Sequence, residues 1–319
     1  MNWHGPPTLL TWLLLPLACI YALAIRAWHL LFDLGLRKAI RVEGATVVSV
    51  GNLVVGGAGK TPVVMHLANE AVKRGFKVAV LSRGYGRSSR EQRSFTIADL
   101  PPVSDVGDEP RLIARRCPEV TVWVGADRVA LARAAVAKGF NLLILDDGFQ
   151  HRRLARDFDV LVDGGMGNGW WLPAGPLREP LSGRRRATHV WGRDGVPGSI
   201  QARHAISEVR SPEGERVSLE HQPVVLLLGV ARPDLVEQST QALGAKVVAV
   251  HSHPDHHVFT SGELAAAQAE AQEKGAVLVT TQKDAERLPD RSAYVLVLDI
   301  ERVSGELPLP RSRVVRQEE

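Results

Sequence analysis

The chain has 319 residues, enough to bury one large core or two smaller ones. Hydrophobic residues make up 45% and charged residues 23%, which excludes a disordered chain. A net charge of +4 and a pI of about 9.3 fit an anionic partner (phosphate, nucleic acid or an anionic membrane surface) without choosing among them.

From Pro6 to Ile25 there is no charged side chain. The first ten residues hold no Lys or Arg, which argues against a signal peptide. The run is just long enough to span a bilayer, with Pro16 in its middle. The favoured reading is a helix lying in the membrane interface. Trp12, Tyr21 and Trp28 and the basic residues Arg26, Arg37, Lys38 and Arg41 would anchor it. A spanning helix and a helix packed on the protein's own core stay open. Two cysteines, Cys19 and Cys117, form no metal-ligand pattern and suit a reducing cytoplasm.

Next come an apolar strand at Thr46–Val50, a glycine-rich loop at Gly51–Thr61 and an amphipathic helix at Pro62–Arg74. Strand, glycine loop and helix in this order make a P-loop. Backbone N–H groups of Gly56, Gly57, Ala58 and Gly59 would cradle phosphates at the positive end of the helix dipole. Lys60 would reach the outer phosphates and the Thr61 hydroxyl would bind Mg2+. The strict pattern wants glycine where Val54 stands, so Gly56 and Gly57 would have to supply the turn. An ordinary strand–helix loop is the bland alternative.

Further strands are expected at Lys77–Leu81, Val120–Val124, Asn141–Leu145 and Phe158–Val162, with helices at Glu109–Arg116 and Asp127–Lys138 between them. The alternation implies a parallel sheet with helices on both faces. Ser82–Arg87 (SRGYGR) follows the second strand and suits phosphate or sugar contact; a surface turn is the alternative. Asp108 opens a helix, either as its N-cap or as a carboxylate that accepts a proton. Leu142–Asp147 ends in two carboxylates, the shape of a Walker B strand. Gln150 and His151 add polar groups at that edge.

Gly164–Pro180 is a long Gly/Pro-rich loop whose paired tryptophans argue against disorder. Arg184–Arg186 reads as a solvated helix face or an anion contact. Alternating segments near Ala205–Val209 and Arg216–Glu220 look like a β-ribbon. A second α/β series follows, with strands at Val224–Gly229, Lys246–Val250, Ala276–Thr280 and Tyr294–Leu298 and helices at Asp234–Leu243 and Ser261–Glu273. The expected organisation is an apolar membrane-associated region over 1–40, a P-loop core over 41–190, a ribbon or hinge over 191–222 and a smaller α/β domain over 223–319. In the second series, His251–His257 is dense in histidine. It reads as a solvated loop, as a zinc site, or as a source of a catalytic histidine. Thr280–Asp284 is mostly explained by helix capping, with nucleotide contact as the sharper reading.

Seven segments then act as a set: GNLVVGGAGKTP (51–62), SRGYGR (82–87), GDEP (107–110), GADR (125–128), LDDGFQH (145–151), LPAGPLREP (172–180) and PDHH (254–257). In this order they resemble the tetraacyldisaccharide 4'-kinase family, the lipid A 4'-kinases. That family shares the irregular first position of the P-loop. The resemblance implies transfer of the ATP γ-phosphate, with Mg2+, to the 4'-hydroxyl of a tetraacyl glucosamine disaccharide 1-phosphate. It implies a protein on the cytoplasmic face of the inner membrane, with no nucleic-acid partner. By motif, Asp108 would be the base supported by His256, and Lys60 and Thr61 would bind phosphate and metal. Asp146, Asp147, Glu109 and Glu179 would organise metal or substrate, while Tyr85, Gln150, His151 and Arg178 would line the site. The chain departs from the family pattern at His253, usually phenylalanine, and at Gln282, usually glutamate. Gly229–Pro233 is also a loose match. The main rival, a membrane-associated GTPase, would want an Asn-Lys-x-Asp loop, and Thr281–Asp284 comes nearest with Gln at its second position. A non-catalytic membrane scaffold is the third reading.

Overall fold

Runs of β-branched and aliphatic residues become strands buried on both faces, and the glycine-punctuated amphipathic runs between them become the covering helices. The computed structural model describes residues 8–57 and 59–311; Ala58 of the loop lies outside them. The elements in chain order are α1 (Leu9–Leu13), α2 (Leu15–Asp33), β1 (Thr46–Gly51), α3 (Lys60–Lys73), β2 (Val78–Ser82), β3 (Arg93–Phe95), α4 (Val103–Val106), α5 (Asp108–Arg116), β4 (Thr121–Val124), α6 (Arg128–Ala137), β5 (Leu142–Asp146) and β6 (Phe158–Asp163). Then come β7 (His189–Arg193), β8 (Ile200–Arg210), β9 (Arg216–Val217), β10 (Pro223–Leu228), α7 (Pro233–Ala242), β11 (Lys246–Ser252), α8 (Ser261–Glu273), β12 (Val277–Thr281) and β13 (Tyr294–Ser304).

The strands form one mixed sheet in the order β11-β10-β12-β13-β8-β7-β6-β1-β5-β2-β4-β3, with β9 on β8. Pairing is parallel from β4 to β8 and from β11 to β13. The two parallel sets meet at an antiparallel seam between β8 and β13, and β3 adds an antiparallel edge. The expected ribbon is therefore different in kind. Alternation at Ala205–Val209 belongs to an eleven-residue strand whose main partner is β13, and its pairing with 216–220 shrinks to the two residues of β9.

Each strand divides its side chains between two cores. Val48, Val50, Leu142 and Ile144 meet Leu67 of α3 and Ile113 of α5 on one face. Val47, Leu143 and Leu145 meet Val129 and Leu131 of α6 on the other. In the second set, Val224, Leu226 and Leu228 form a core with Val279 and Leu296, and Val225 and Leu227 meet Leu264 and Ala267 of α8.

The apolar N-terminal run is two helices, not one, because Pro16 starts the first turn of α2, where its missing N–H costs nothing. Helix α2 inverts the usual pattern of a core helix. Ala18, Ala22 and His29 face the protein, while Leu17, Ile20 and Leu23 are 53%, 65% and 69% exposed. Its attachment is polar. Tyr21 donates to the Arg178 carbonyl at 2.8 Å, His29 meets Glu179 at 3.2 Å, and Arg152 reaches Asp33 at 2.7 Å. The Gly164–Pro180 loop packs against both helices, with Trp170 edge-on to Trp12 of α1 at 4.8 Å and Arg178 bonded to Tyr21 of α2.

Candidate active site

Strands β1, β2 and β5 are parallel neighbours, so Gly51, Ser82 and Asp146 end on one edge of the sheet. There the P-loop turns into α3. Its left-handed residues are Gly56 (φ 95°) and Gly59 (φ 75°). At Gly59 the left-handed backbone favours glycine, and a Cβ there would stand 2.7 Å from the His204 ring and 3.0 Å from the Arg193 guanidinium, which would have to move. Val54, at the strict glycine position, pairs with Leu177, and the Val55 N–H donates to the Pro176 carbonyl at 2.8 Å. The loop's first turn is thus pinned to the Gly/Pro-rich segment instead of being freed by a glycine.

Lys60 Nζ donates to Asn52 Oδ1 at 3.3 Å and stands 3.6 Å from Asp147. Asp147 has a left-handed backbone (φ 53°) and accepts both of its Arg178 contacts, at 2.9 and 2.8 Å. Burial opposes its ionisation, but Lys60 and Arg178 hold its carboxyl below the usual range. Asp146 differs. Among the described residues Ser82 Oγ is its one side-chain donor, at 3.1 Å, and burial with the Glu109 and Asp147 charges pushes its carboxyl up to about 7. Such crowding of carboxylates suits a divalent cation, which would relieve it.

Gly107, with φ 91°, opens α5, so Asp108 is its first helical residue and not the N-cap. Asp108 accepts from the Glu109 N–H at 2.9 Å and faces His256 Nδ1 at 3.0 Å. His256 Nε2 lies 3.2 Å from Lys283 Nζ. Lysine can only donate, so Nε2 accepts and the neutral ring carries its proton on Nδ1, directed at Asp108. Burial works against the charge on Asp108, but the His256 hydrogen bond, Lys283 and Arg287 keep it ionised. Burial likewise opposes the charge on Lys283, yet Glu109, Asp108 and Asp255 raise its pKa. Asp108 is itself buried, covered by His256 and by Tyr85, whose ring centroid is 5.1 Å from the imidazole.

These groups surround a cavity of about 560 Å3. Its walls hold Gly56, Gly57, Lys60, Tyr85, Glu109, Asp146, Asp147, Gln150, His151, Arg178 and His256 of the sequence-predicted set. A second, more apolar cavity of about 230 Å3 adjoins it and shares Gly56, Gly57, Lys60, Glu109, Asp255 and Lys283. Gly59 and Thr61 line this second cavity.

The tetraacyldisaccharide-1-P 4'-kinase model matches residues 10–307 of the chain. A tetraacyldisaccharide 4'-kinase of Anaeromyxobacter sp. (strain K) is 43% identical over 309 residues, 87% of this chain and 82% of that protein. One from Paramagnetospirillum magneticum is 40% identical over 90% of this chain and 89% of its own length. The chain belongs to the tetraacyldisaccharide 4'-kinase family. Among solved structures, LpxK from Aquifex aeolicus in complex with ATP superposes with a TM-score of 0.74 at 31% identity, covering 92% of this chain and 96% of that one.

Three motif residues of the kinase pattern stand outside the cavity walls; Asp108, behind His256, is the first. Glu179 is fully buried behind the wall, where Arg186, His29 and Gln150 surround its carboxylate, and Gln150 links it to the site. Asp284 is also fully buried, bonded to Arg287 and Thr281, while its neighbour Lys283 faces both cavities. In the Arg184–Arg186 run, Arg184 pairs inward with Asp163 and Arg186 with Glu179, while Arg185 is exposed, so only its middle residue faces solvent. Arg83 in the cavity wall fits the phosphate or sugar contact expected of Ser82–Arg87; Arg128, also in the wall, and Arg287, 3.4 Å from Asp108, are not site residues in the sequence reading. The GADR segment carries Arg128, but a single arginine beside a turn is too common to read as a site. Arg287 becomes visible only through a contact across 179 positions.

Proposed function

We propose that the chain transfers the γ-phosphate of ATP to the 4'-hydroxyl of a tetraacyl glucosamine disaccharide 1-phosphate, a step of lipid A biosynthesis. One observation carries the reading: the Lys60 loop and His256, with Asp108 directly behind the imidazole at 3.0 Å, border a single cavity whose walls add Arg83, Arg128, Arg178 and Lys283. Phosphoryl transfer needs positioning and charge neutralisation more than covalent chemistry. The cations supply the charge. His151 is held neutral, its pKa lowered to about 4 by burial and by Arg128 and Arg156. Its buried Nε2 finds no hydrogen-bond partner among the described residues, which leaves it for a sugar hydroxyl.

The triphosphate would lie along Gly56–Thr61, and the apolar second cavity, walled by Val230, Leu235, Val236 and Leu298, suits a nucleobase. Asp146 with Thr61 would hold Mg2+, which supplies charge neutralisation at the phosphates. Asp147, already committed to Arg178 and Lys60, would act through them. Asp108 would take the proton of the acceptor hydroxyl, with the imidazole Nδ1–H holding the carboxylate in orientation. We keep 41–190, 191–222 and 223–319 as core, hinge and closing domain.

The lipid substrate stays in the bilayer, so the enzyme must come to it. Helix α2 would lie in the interface of the inner membrane, on its cytoplasmic face, with Leu17, Ile20 and Leu23 in the acyl region. Spanning would carry its polar attachments to Arg178 and Glu179 into the bilayer. ATP consumption measured with and without the glycolipid, with 31P NMR of the product, tests the proposal. A new phosphate monoester at the 4' position is expected; ATP turnover indifferent to the acceptor would overturn it.

A further inference from the structure

Beside the catalytic loop, outside both cavities, His253, His257 and Glu263 bring three ligand atoms within 4.8 Å of one another. His257 Nε2 is 3.0 Å from Glu263 Oε1, and His253 Nδ1 is 3.6 Å from the same oxygen. A tetrahedral zinc ion with bonds of about 2.0–2.2 Å sets its ligands roughly 3.4 Å apart. The two contacts bracket that spacing.

The carboxylate is held in place. Glu263 is the third residue of α8, and its Oε2 closes a capping box with the Thr260 N–H at 2.8 Å and the Thr260 hydroxyl at 3.0 Å. Its Oε1 is left facing the two imidazoles. Buried Phe259 stands edge-on beneath both rings, 5.4 Å from His253 and 5.2 Å from His257, and gives the cluster an apolar floor. The His253 N–H is fixed by the Leu228 carbonyl at 2.7 Å, at the end of β11. The rings are now stacked, 4.5 Å apart, so binding requires each to tilt until its lone pair points inward. A ligand set of two imidazoles and one carboxylate, partly open to solvent, is the chemistry of zinc with a fourth position for water. It is a poor match for Mg2+, which prefers oxygen ligands.

We propose that His253, His257 and Glu263 form a zinc site. His256 lies between the two histidines with a left-handed backbone (φ 63°). An ion bound on both sides of it pins the loop that presents the imidazole to Asp108.

The test uses the full-length protein in detergent, stripped of metal and without nucleotide, so that its outcome is independent of the kinase reading. Zn2+ binding is measured by calorimetry, and Co2+ is added as a spectroscopic substitute. The wild type should take one equivalent of Zn2+ and give the intense visible bands of four-coordinate Co2+. His253→Phe keeps an aromatic ring in the stack, and Glu263→Gln keeps a capping side chain; each should lose the equivalent and the bands. Thr260→Val, which frees the carboxylate, should weaken binding about tenfold. His221→Ala, at an exposed histidine on another loop, should bind as the wild type does. Zn2+ uptake that survives both His253→Phe and Glu263→Gln, or no uptake by the wild type, overturns the site.

Discussion

The P-loop half and the C-terminal half meet at one cavity but build their share of it differently. Lys60, Ser82, Asp146 and Asp147 sit at or within nine residues of the ends of adjacent parallel strands, so local sequence alone sets where they fall. His256 comes from one loop and Lys283 and Arg287 from the two ends of a short turn, and each touches a carboxylate of the other half. Lys283 meets Glu109 at 3.4 Å, and His256 and Arg287 meet Asp108 at 3.0 and 3.4 Å. Buried Glu286 ties the halves again through Arg111 and Arg115. The phosphate grip is therefore local, whereas the proton acceptor is assembled across the seam. Damage to the first should abolish nucleotide binding; damage to the second should slow turnover with nucleotide still bound.

The sharpest separation comes from Lys60→Ala against Asp108→Ala. Lys60→Ala should abolish calorimetric Mg·ATP binding and lower kcat/KM by about 10^3-fold or more. Asp108→Ala should lower kcat by about 10^2- to 10^4-fold with the ATP KM almost unchanged. If ATP binding collapsed equally in both, the two halves would not divide the work as described. His256→Ala should cost less, about 10- to 10^2-fold in kcat, because Arg287 and Lys283 still orient the carboxylate. A His256→Ala rate equal to wild type would remove the histidine from the proton path.

The same contrast explains what the sequence made legible. Strand–loop–helix order, the Lys60–Thr61 pair and the apolar run into Asp146 are periodic or contiguous signals, and the parallel core followed from them. β3 and β7 escaped because three residues, or five with glycine and arginine among them, carry too little periodicity. The partner of β8 escaped because antiparallel pairing across about 90 positions leaves no local trace. Glu179 was placed in the site because a motif says which residues matter and not where they point. Its carboxylate points away, into three partners from three segments.

The N-terminal helix sets another contrast, between side chains that attach it and side chains that face outward. Replacing outward Leu17, Ile20 and Leu23 with glutamate should release the protein from vesicles. Each residue would forfeit roughly 1.5–3 kcal/mol of apolar burial, while folding and soluble-phase ATP binding should hold. Continued sedimentation of the triple variant with vesicles would place the membrane contact elsewhere.

On the inward side, Glu179 gives the smallest effect on rate and a defined effect on stability. Burial would raise its pKa, but hydrogen bonds from His29, Arg186 and Gln150 bring it down to about 2 from 4.5. A carboxylate whose folded pKa lies below its unfolded value contributes stability above the unfolded value. That contribution fades as pH falls from about 4.5 toward about 2, because the unfolded chain takes up the proton first. The shift corresponds to roughly 3 kcal/mol at neutral pH. Glu179→Gln keeps the shape and removes the charge, so it should be less stable than wild type at pH 7 in denaturant titrations. The difference between the two proteins should shrink steadily below pH 4.5. A difference that stayed constant from pH 7 to pH 3 would show that packing, and not the ionised carboxylate, joins α2 to the wall of the site.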